Sequence, residues 1–221
     1  MTSHLLIDFD STFTKVEALE ELADIALQRH PDKARIVEEI RTLTDAGMDG
    51  RVSFAVSLHR RLSLLAAHER HLAPLIERLR EKVSDSIARN RTFFLHPPVE
   101  CYILSSGFRE FIEPVVLSYG FDSQHVLANS FAYAADRCIV GCDEMNLLSH
   151  DHGKVLQVQK LALKGEVSVL GDGYTDFEIR EAGLATRFYA FTENVARPSV
   201  IARADEIVAT FDEFLLKAGL R

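Results

Sequence analysis

An α/β fold, a Rossmann-like parallel sheet with a helical bundle inserted after its first strand, is predicted for this 221-residue chain by three observations. A short apolar run at residues 5–10 ends abruptly in acidic residues and stands alone near the start. A block of purely helical period follows, to about residue 87. From about residue 91 onward, short apolar runs alternate with helix-length segments, the signature of parallel strands covered on both faces.

In the helical block, apolar residues recur at three and four: Leu19, Leu22, Ala23 and Ala26, then Ile36, Ile40 and Leu43. Phe54, Leu58, Leu62 and Leu65 follow, then Leu72, Leu75, Ile76, Leu79 and Val83. Pro31 and the stretch 46–50 (Ala-Gly-Met-Asp-Gly) punctuate the block, so four helices are expected there. Further on, a strand at 99–104 runs into Ser105-Ser106-Gly107 and a helix at 108–118. A short strand at 126–128 precedes a hairpin of 131–133 with 138–140. A helix at 154–162 leads to a strand at 167–170 that ends in Gly171-Asp172-Gly173 and a further helix. Strands at 188–191 and 206–209 and a helix at 211–218 close the chain. The expected division is a catalytic core of 1–13 with 88–221 and a helical cap of 14–87.

Composition narrows the function. Apolar residues at 47% and charged residues at 26% are those of an ordinary globular chain. Lys and Arg number 25 against 33 Asp and Glu, and the net charge of −8 opposes general binding to nucleic acid. Apolar stretches are a few residues long, far short of the ~20 needed to span a bilayer, and no signal peptide is read at the start. Cys101, Cys138 and Cys142 are too few and irregular for a disulfide framework, so the cytoplasm is the expected compartment. The chain is expected to act on a small molecule as a monomer or homodimer.

In open α/β sheets, ligands bind beyond the carboxyl ends of the strands. Three such ends are polar here: Asp8-Phe9-Asp10-Ser11-Thr12, Ser105-Ser106-Gly107, and Gly171-Asp172-Gly173-Tyr174-Thr175-Asp176. Asp8 and Asp10 point the same way while the strand persists. Four carboxylates in one crevice repel and resist ionisation unless a cation sits among them, and hard oxygen ligands favour Mg²⁺. A single Asp after a strand is more often a turn or cap residue. The ordered combination of D-x-D-x-T, a strand ending in Ser-Ser-Gly, and G-D-G-x-x-D is far more specific.

Together these motifs resemble those of the haloacid dehalogenase superfamily, and within it those of phosphoserine phosphatases, along essentially the whole chain. DFDSTFTKVEAL is similar to the first motif, GMDGRVSFAVSLHRRLSLL to the cap, and LSSGF and GDGYTD to the later motifs. The resemblance implies a Mg²⁺-dependent phosphatase in which Asp8 attacks phosphorus and forms an aspartyl-phosphate. Asp10 would protonate the departing serine and then activate water. Mg²⁺ would be held by the Asp8 side chain, the Asp10 backbone carbonyl and Asp172, with Asp176 an indirect partner. Ser105 and the amides of Ser106 and Gly107, at the start of a helix, would cradle the phosphate.

The cation expected on the phosphate falls in His152-Gly153-Lys154-Val155, where strict register selects His152 and a shift of two selects Lys154. Lys154 is favoured because it keeps a permanent charge; otherwise it is a solvated surface lysine. Arg61 follows Phe54 by seven residues, on the apolar face of its helix, where a guanidinium requires a partner or cavity, or a head that reaches water. The resemblance implies that Arg61 binds the substrate carboxylate and Glu17 its ammonium, with Met48 and Phe54 closing the apolar side; unaided, Glu17 reads equally as a first-turn carboxylate and the other two as core. Ser106 stands where many relatives have Gly. Thr175, a further substrate contact, stands where Asn is frequent. Phosphotransfer to an alcohol such as homoserine, or hydrolysis of another small phosphomonoester, remains open. A receiver module fits neither the spacing of Asp8 and Asp10 nor the inserted helices.

Overall fold

The computed structural model describes residues 3–221; the first two residues of the expected core segment lie outside it. Strand β1 (Ser3–Ile7) is central in a parallel sheet with β2 (Glu100–Phe108), β3 (Val126–Asn129), β6 (Glu166–Gly171), β7 (Arg187–Phe191) and β8 (Glu206–Val208), in the order β3-β2-β1-β6-β7-β8. Leu5 lies opposite both Cys101 and Ser168. A separate antiparallel hairpin joins β4 (Phe131–Tyr133) to β5 (Ile139–Cys142).

Both faces of the sheet are covered, and the period of two in its strands sorts their side chains. Leu5, Ile7 and Ile103 pack with Phe9, Phe13, Phe111 and Phe211 on one face. Leu6, Leu104, Val167 and Val169 pack with Ile179 and Phe188 on the other. Fully burying each such side chain contributes about 1.5–3 kcal/mol, which is why the central strands read as near-continuous apolar runs.

The inserted block contains α1 (Ala18–Ala26), α2 (Lys33–Met48), α3 (Phe54–Leu64), α4 (Leu72–Glu81) and a short α5 (Asp85–Arg89), one helix more than periodicity predicted. A five-residue helix is too short to establish a repeat. The break expected at 46–50 falls late: α2 runs through Met48 and ends at Asp49, with Gly50 in the left-handed region at φ 71°. After α6 (Arg91–Leu95) and β2 comes α7 (Arg109–Val116). Ser105–Gly107 therefore belong to the end of β2, not to the first turn of a helix as expected. The remaining helices are α8 (Gly153–Leu161), α9 (Tyr174–Glu181), α10 (Pro198–Ile201) and α11 (Phe211–Lys217). No helix among the described residues is long and apolar enough to cross a membrane.

Two chain crossings connect the inserted helices to the sheet. They run side by side, with Lys15 N–H donating to Lys82 O (2.8 Å) and Ser84 N–H to Phe13 O (3.0 Å). The carboxyl ends of β1, β2 and β6 meet beneath the helices, where strand order reverses.

Candidate active site

Strand β1 stops at Ile7, one residue before the first acidic group, so strand alternation does not align Asp8 with Asp10 as the sequence suggested. A tight turn does so instead. Asp10 is extended (φ −68°, ψ 135°), Ser11 is left-handed (φ 56°), and Phe13 N–H reaches back to Asp8 O at 3.2 Å. Asp8 and Asp10 then line one cavity of about 20 Å³ with Ser105, Ser106, Gly107 and Lys154 from the sheet side. Glu17, Met48, Phe54 and Arg61 line it from the helical side; Leu19 completes the wall. That volume is little more than a water molecule occupies, so the site is closed in this arrangement. In this closed arrangement Asp151 accepts hydrogen bonds from Ser53 Oγ (2.8 Å) and Ala55 N–H (3.0 Å) across the seam.

Lys154 Nζ donates to Asp8 Oδ1 and Asp176 Oδ1, both at 2.7 Å, with all three side chains buried. Close packing at the start of α8 places it: a Cβ on Gly153 would lie 2.4 Å from Leu147 O. His152 is 68% exposed and pairs with Glu178 Oε1 at 2.9 Å, away from the cavity. Thr175 is also outside the cavity, contrary to its expected substrate contact. At the start of α9 it lines a neighbouring pocket along the seam between helices and sheet, with its buried hydroxyl unpartnered.

Oxygens of Asp8, Asp172 and Asp176 lie within 4.8 Å of one another, all buried. Asp172 accepts from Thr12 Oγ1 (3.1 Å) and from Arg197 Nε (3.2 Å). Asp176 also accepts from Gly173 N–H at 3.1 Å, and only glycine fits at 171, where a Cβ would meet Asp176 Cγ at 2.3 Å. An all-oxygen set of crowded carboxylates suits a hard divalent cation, so the residues fit such an ion. The Asp10 carboxylate faces elsewhere, accepting from Ala18 N–H at 2.7 Å.

The electrostatics follow from burial. Burial, with Glu17 and Asp8 nearby, pushes the Asp10 carboxyl well above its ordinary range, against the Ala18 amide. Burial and Asp8 push Asp176 up to about 7 despite Lys154 beside it. Burial, Asp8 and Glu17 raise Asp172 well above the ordinary carboxylate range, with Arg197 opposing. Burial alone lowers a lysine, but Asp176 and Asp8 outweigh it and Lys154 stays charged. Arg61 is lowered by burial, which Glu17 and Asp10 offset only in part. Its Nη1 reaches only Thr44 Oγ1 at 3.3 Å, and its Nε has no partner. A buried guanidinium with unused donors at a cavity wall is suited to an anionic ligand.

Sequence reading missed Arg197 and Asn194, in the loop after β7. Arg197 joins Asp172 to Asp45 of α2 (Nη1 to Oδ1, 2.8 Å) and lies 3.9 Å from Glu17 Oε1. The signal was available, because this loop too is polar beyond the carboxyl end of a strand.

Comparison with known proteins agrees with this geometry. A family model described as haloacid dehalogenase-like hydrolase matches residues 5–181. The chain is 29% identical to phosphoserine phosphatase of Bos taurus, covering 94% of this chain and 89% of that protein. It is likewise 29% identical to the chloroplastic phosphoserine phosphatase of Arabidopsis thaliana, over 94% of this chain and 69% of that one. A crystal structure of a phosphoserine phosphohydrolase-like protein from Francisella tularensis superposes with a TM-score of 0.88 at 27% identity, covering 98% and 99% of the two chains.

Proposed function

We propose, for a chain that belongs to the haloacid dehalogenase-like hydrolase family and is a phosphoric monoester hydrolase, that its substrate is O-phospho-L-serine, cleaved to L-serine and phosphate. The observation that carries the substrate is the pairing of Arg61, with its unpartnered Nε, and Glu17 in the cavity that holds Asp8. A cation and an anion set apart from the reacting carboxylate match the two charges of an amino acid's zwitterionic end. The names of the relatives support the same reading.

In the proposed reaction an Asp8 oxygen attacks phosphorus in line and the bond to the serine oxygen breaks. The protonated Asp10 carboxyl gives its proton to that oxygen. The resulting Asp10 carboxylate then takes a proton from a water that attacks the acyl phosphate, restoring Asp8 and releasing phosphate. Lys154, Ser105 and the Ser106 and Gly107 amides orient the phosphate oxygens. Met48 and Phe54 close the apolar side and exclude water. Mg²⁺, held by Asp8, the Asp10 carbonyl and Asp172 with Asp176 as an indirect partner, supplies neutralisation of phosphoryl charge. Three free cysteines accord with a cytoplasmic setting.

Substrate choice is tested by phosphate release with Mg²⁺. Phosphoethanolamine lacks the carboxylate, would leave Arg61 buried and unpaired, and is expected to lose at least about 100-fold in kcat/KM relative to phosphoserine. Equal rates would reject the assignment of Arg61. With homoserine added, serine and inorganic phosphate remain the expected products; phosphohomoserine would favour the transferase reading.

The metal is tested by its coupling to pH. Carboxyls raised in the folded state, such as Asp176 at about 7, hold protons that the unfolded chain has released. The metal-free protein therefore has this stability fully below about pH 4 and loses it as pH rises through about 7. Mg²⁺ binds the deprotonated groups, so its effect runs the other way. At 100-fold over its dissociation constant, Mg²⁺ is expected to raise Tm by roughly 5–10 °C at pH 8 and by much less at pH 5. A Mg²⁺ shift independent of pH would contradict the carboxylate site.

A further inference from the structure

Beyond the groups that touch substrate, we infer that Asn194 is a positioning residue for Asp10, tying the turn that presents this acid to both crossings between sheet and helices. The inference rests on the assignment of Asp10 as the acid. Asn194 lies in the loop after β7, where none of the motifs above falls. Its Nδ2 donates to Ser11 O (3.0 Å), Thr14 O (3.3 Å) and Ser84 Oγ (2.7 Å). Ser11 and Thr14 belong to the outgoing crossing, and Ser84 to the returning one. Ser84 Oγ in turn donates to Thr12 O at 2.6 Å, so a single amide closes a ring of hydrogen bonds around the turn. The neighbouring Glu193 accepts from Ser86 N–H at 3.0 Å, gripping the return crossing one step further on.

Asn194 matters to Asp10 because the turn is strained. Ser11 is a non-glycine residue at φ 56°, a conformation that costs energy and persists only where its surroundings impose it. The Ser11 carbonyl belongs to the Ser11–Thr12 peptide, so its hydrogen bond to Asn194 holds the left-handed Ser11 residue from its far side and thereby the turn that presents Asp10. On the other side the fit is close: Asp10 Oδ2 would lie 2.9 Å from a Cβ on Gly107. With the amide removed, Ser11 is free to relax and the acid swings from the leaving oxygen, while Asp8, Lys154 and Arg61 keep their other anchors; Glu17, which accepts from Ser11 Oγ at 2.7 Å, registers any wider movement of Ser11 as a rise in KM.

The distinguishing property is the leaving group. Serine leaves as an alkoxide and needs the proton from Asp10, whereas the phenoxide of p-nitrophenyl phosphate needs none. Presteady-state formation of the phosphoenzyme is measured with both substrates for wild type, Asn194→Ala, Asn194→Ser and Asp10→Asn. Asn194→Ala is expected to slow the step at least about 10-fold more for phosphoserine than for the aryl phosphate, with KM for phosphoserine within about 2-fold of wild type. Asn194→Ser, which keeps one donor, is expected to fall between, and it supplies the measurement if the alanine variant does not fold. Equal slowing of both substrates, or a loss confined to KM, overturns the inference while Asp10→Asn still shows the leaving-group signature. If Asp10→Asn lacks that signature too, the acid assignment fails and the inference falls with it.

Discussion

Replacing Asp8 by Asn is expected to abolish turnover, lowering kcat on the order of 10⁴-fold or more, because an amide cannot form the acyl phosphate. The fold is expected to survive. Asp8 raises the pKa of both Asp172 and Asp176, so a neutral side chain relieves repulsion in the cluster. Lys154 loses one counter-charge, though the Asn amide oxygen can still accept from it, and keeps Asp176 at 2.7 Å. Thermal melting without metal should therefore stay near that of wild type, and affinity for Mg²⁺ should fall. Measured together, kcat and Tm separate loss of the nucleophile from loss of structure. Activity above roughly one hundredth of wild type would remove Asp8 from its proposed role.

Lys154→Met is expected to cost both catalysis and stability. It fits the space of the aliphatic stem but leaves two buried carboxylates, Asp8 and Asp176, without their shared cation. Breaking a buried pair from one side costs about 3–5 kcal/mol, and the cost has a direction in pH. Asp176 is already raised to about 7 with Lys154 present, and without it the carboxyl holds its proton to higher pH still. The variant therefore binds more protons folded than unfolded over a wider range, and its deficit grows as pH rises from about 5 to 8. Denaturant unfolding at the two ends of that range checks the sign. A deficit that shrinks as pH rises would mean that the carboxylates are not ionising against burial. Activity is expected to fall by about 10²–10³-fold through loss of a preorganised charge at the phosphate.

Much of the fold was legible because burial writes itself into period. Residues 5–7 alternate between two cores, Leu5 and Ile7 on one and Leu6 on the other, and a parallel strand covered on both faces cannot be polar on either. The inserted helices showed in their apolar stripes for the same reason. Boundaries were less legible. The strand ends at Ile7, and the turn that follows rests on Ser11 in the left-handed region, a conformation that a serine does not announce. Ser105–Gly107 lie in β2 because the strand continues past a register shift that no pattern marks.

The candidate site was legible where acidic or small residues interrupt apolar runs. Lys154 is brought to Asp8, and His152 turns outward to Glu178. Thr175 shows the limit of carrying over a motif position: the helix that begins at Tyr174 carries Asp176 inward and leaves Thr175 at the seam. The polar loop after β7 marks Arg197 and Asn194 as candidates, but their partners are more than 20 residues away in sequence, and only the folded chain reveals what they join.

Trapping the reaction midway bears most directly on the claim that Asp8 carries the phosphoryl group. Acid quenching during turnover of phosphate-labelled phosphoserine, followed by peptide mapping, should find the label on the peptide bearing Asp8, labile to hydroxylamine and absent from Asp8→Asn. Label on another residue, or sustained turnover with no covalent label at any time point, would contradict the account.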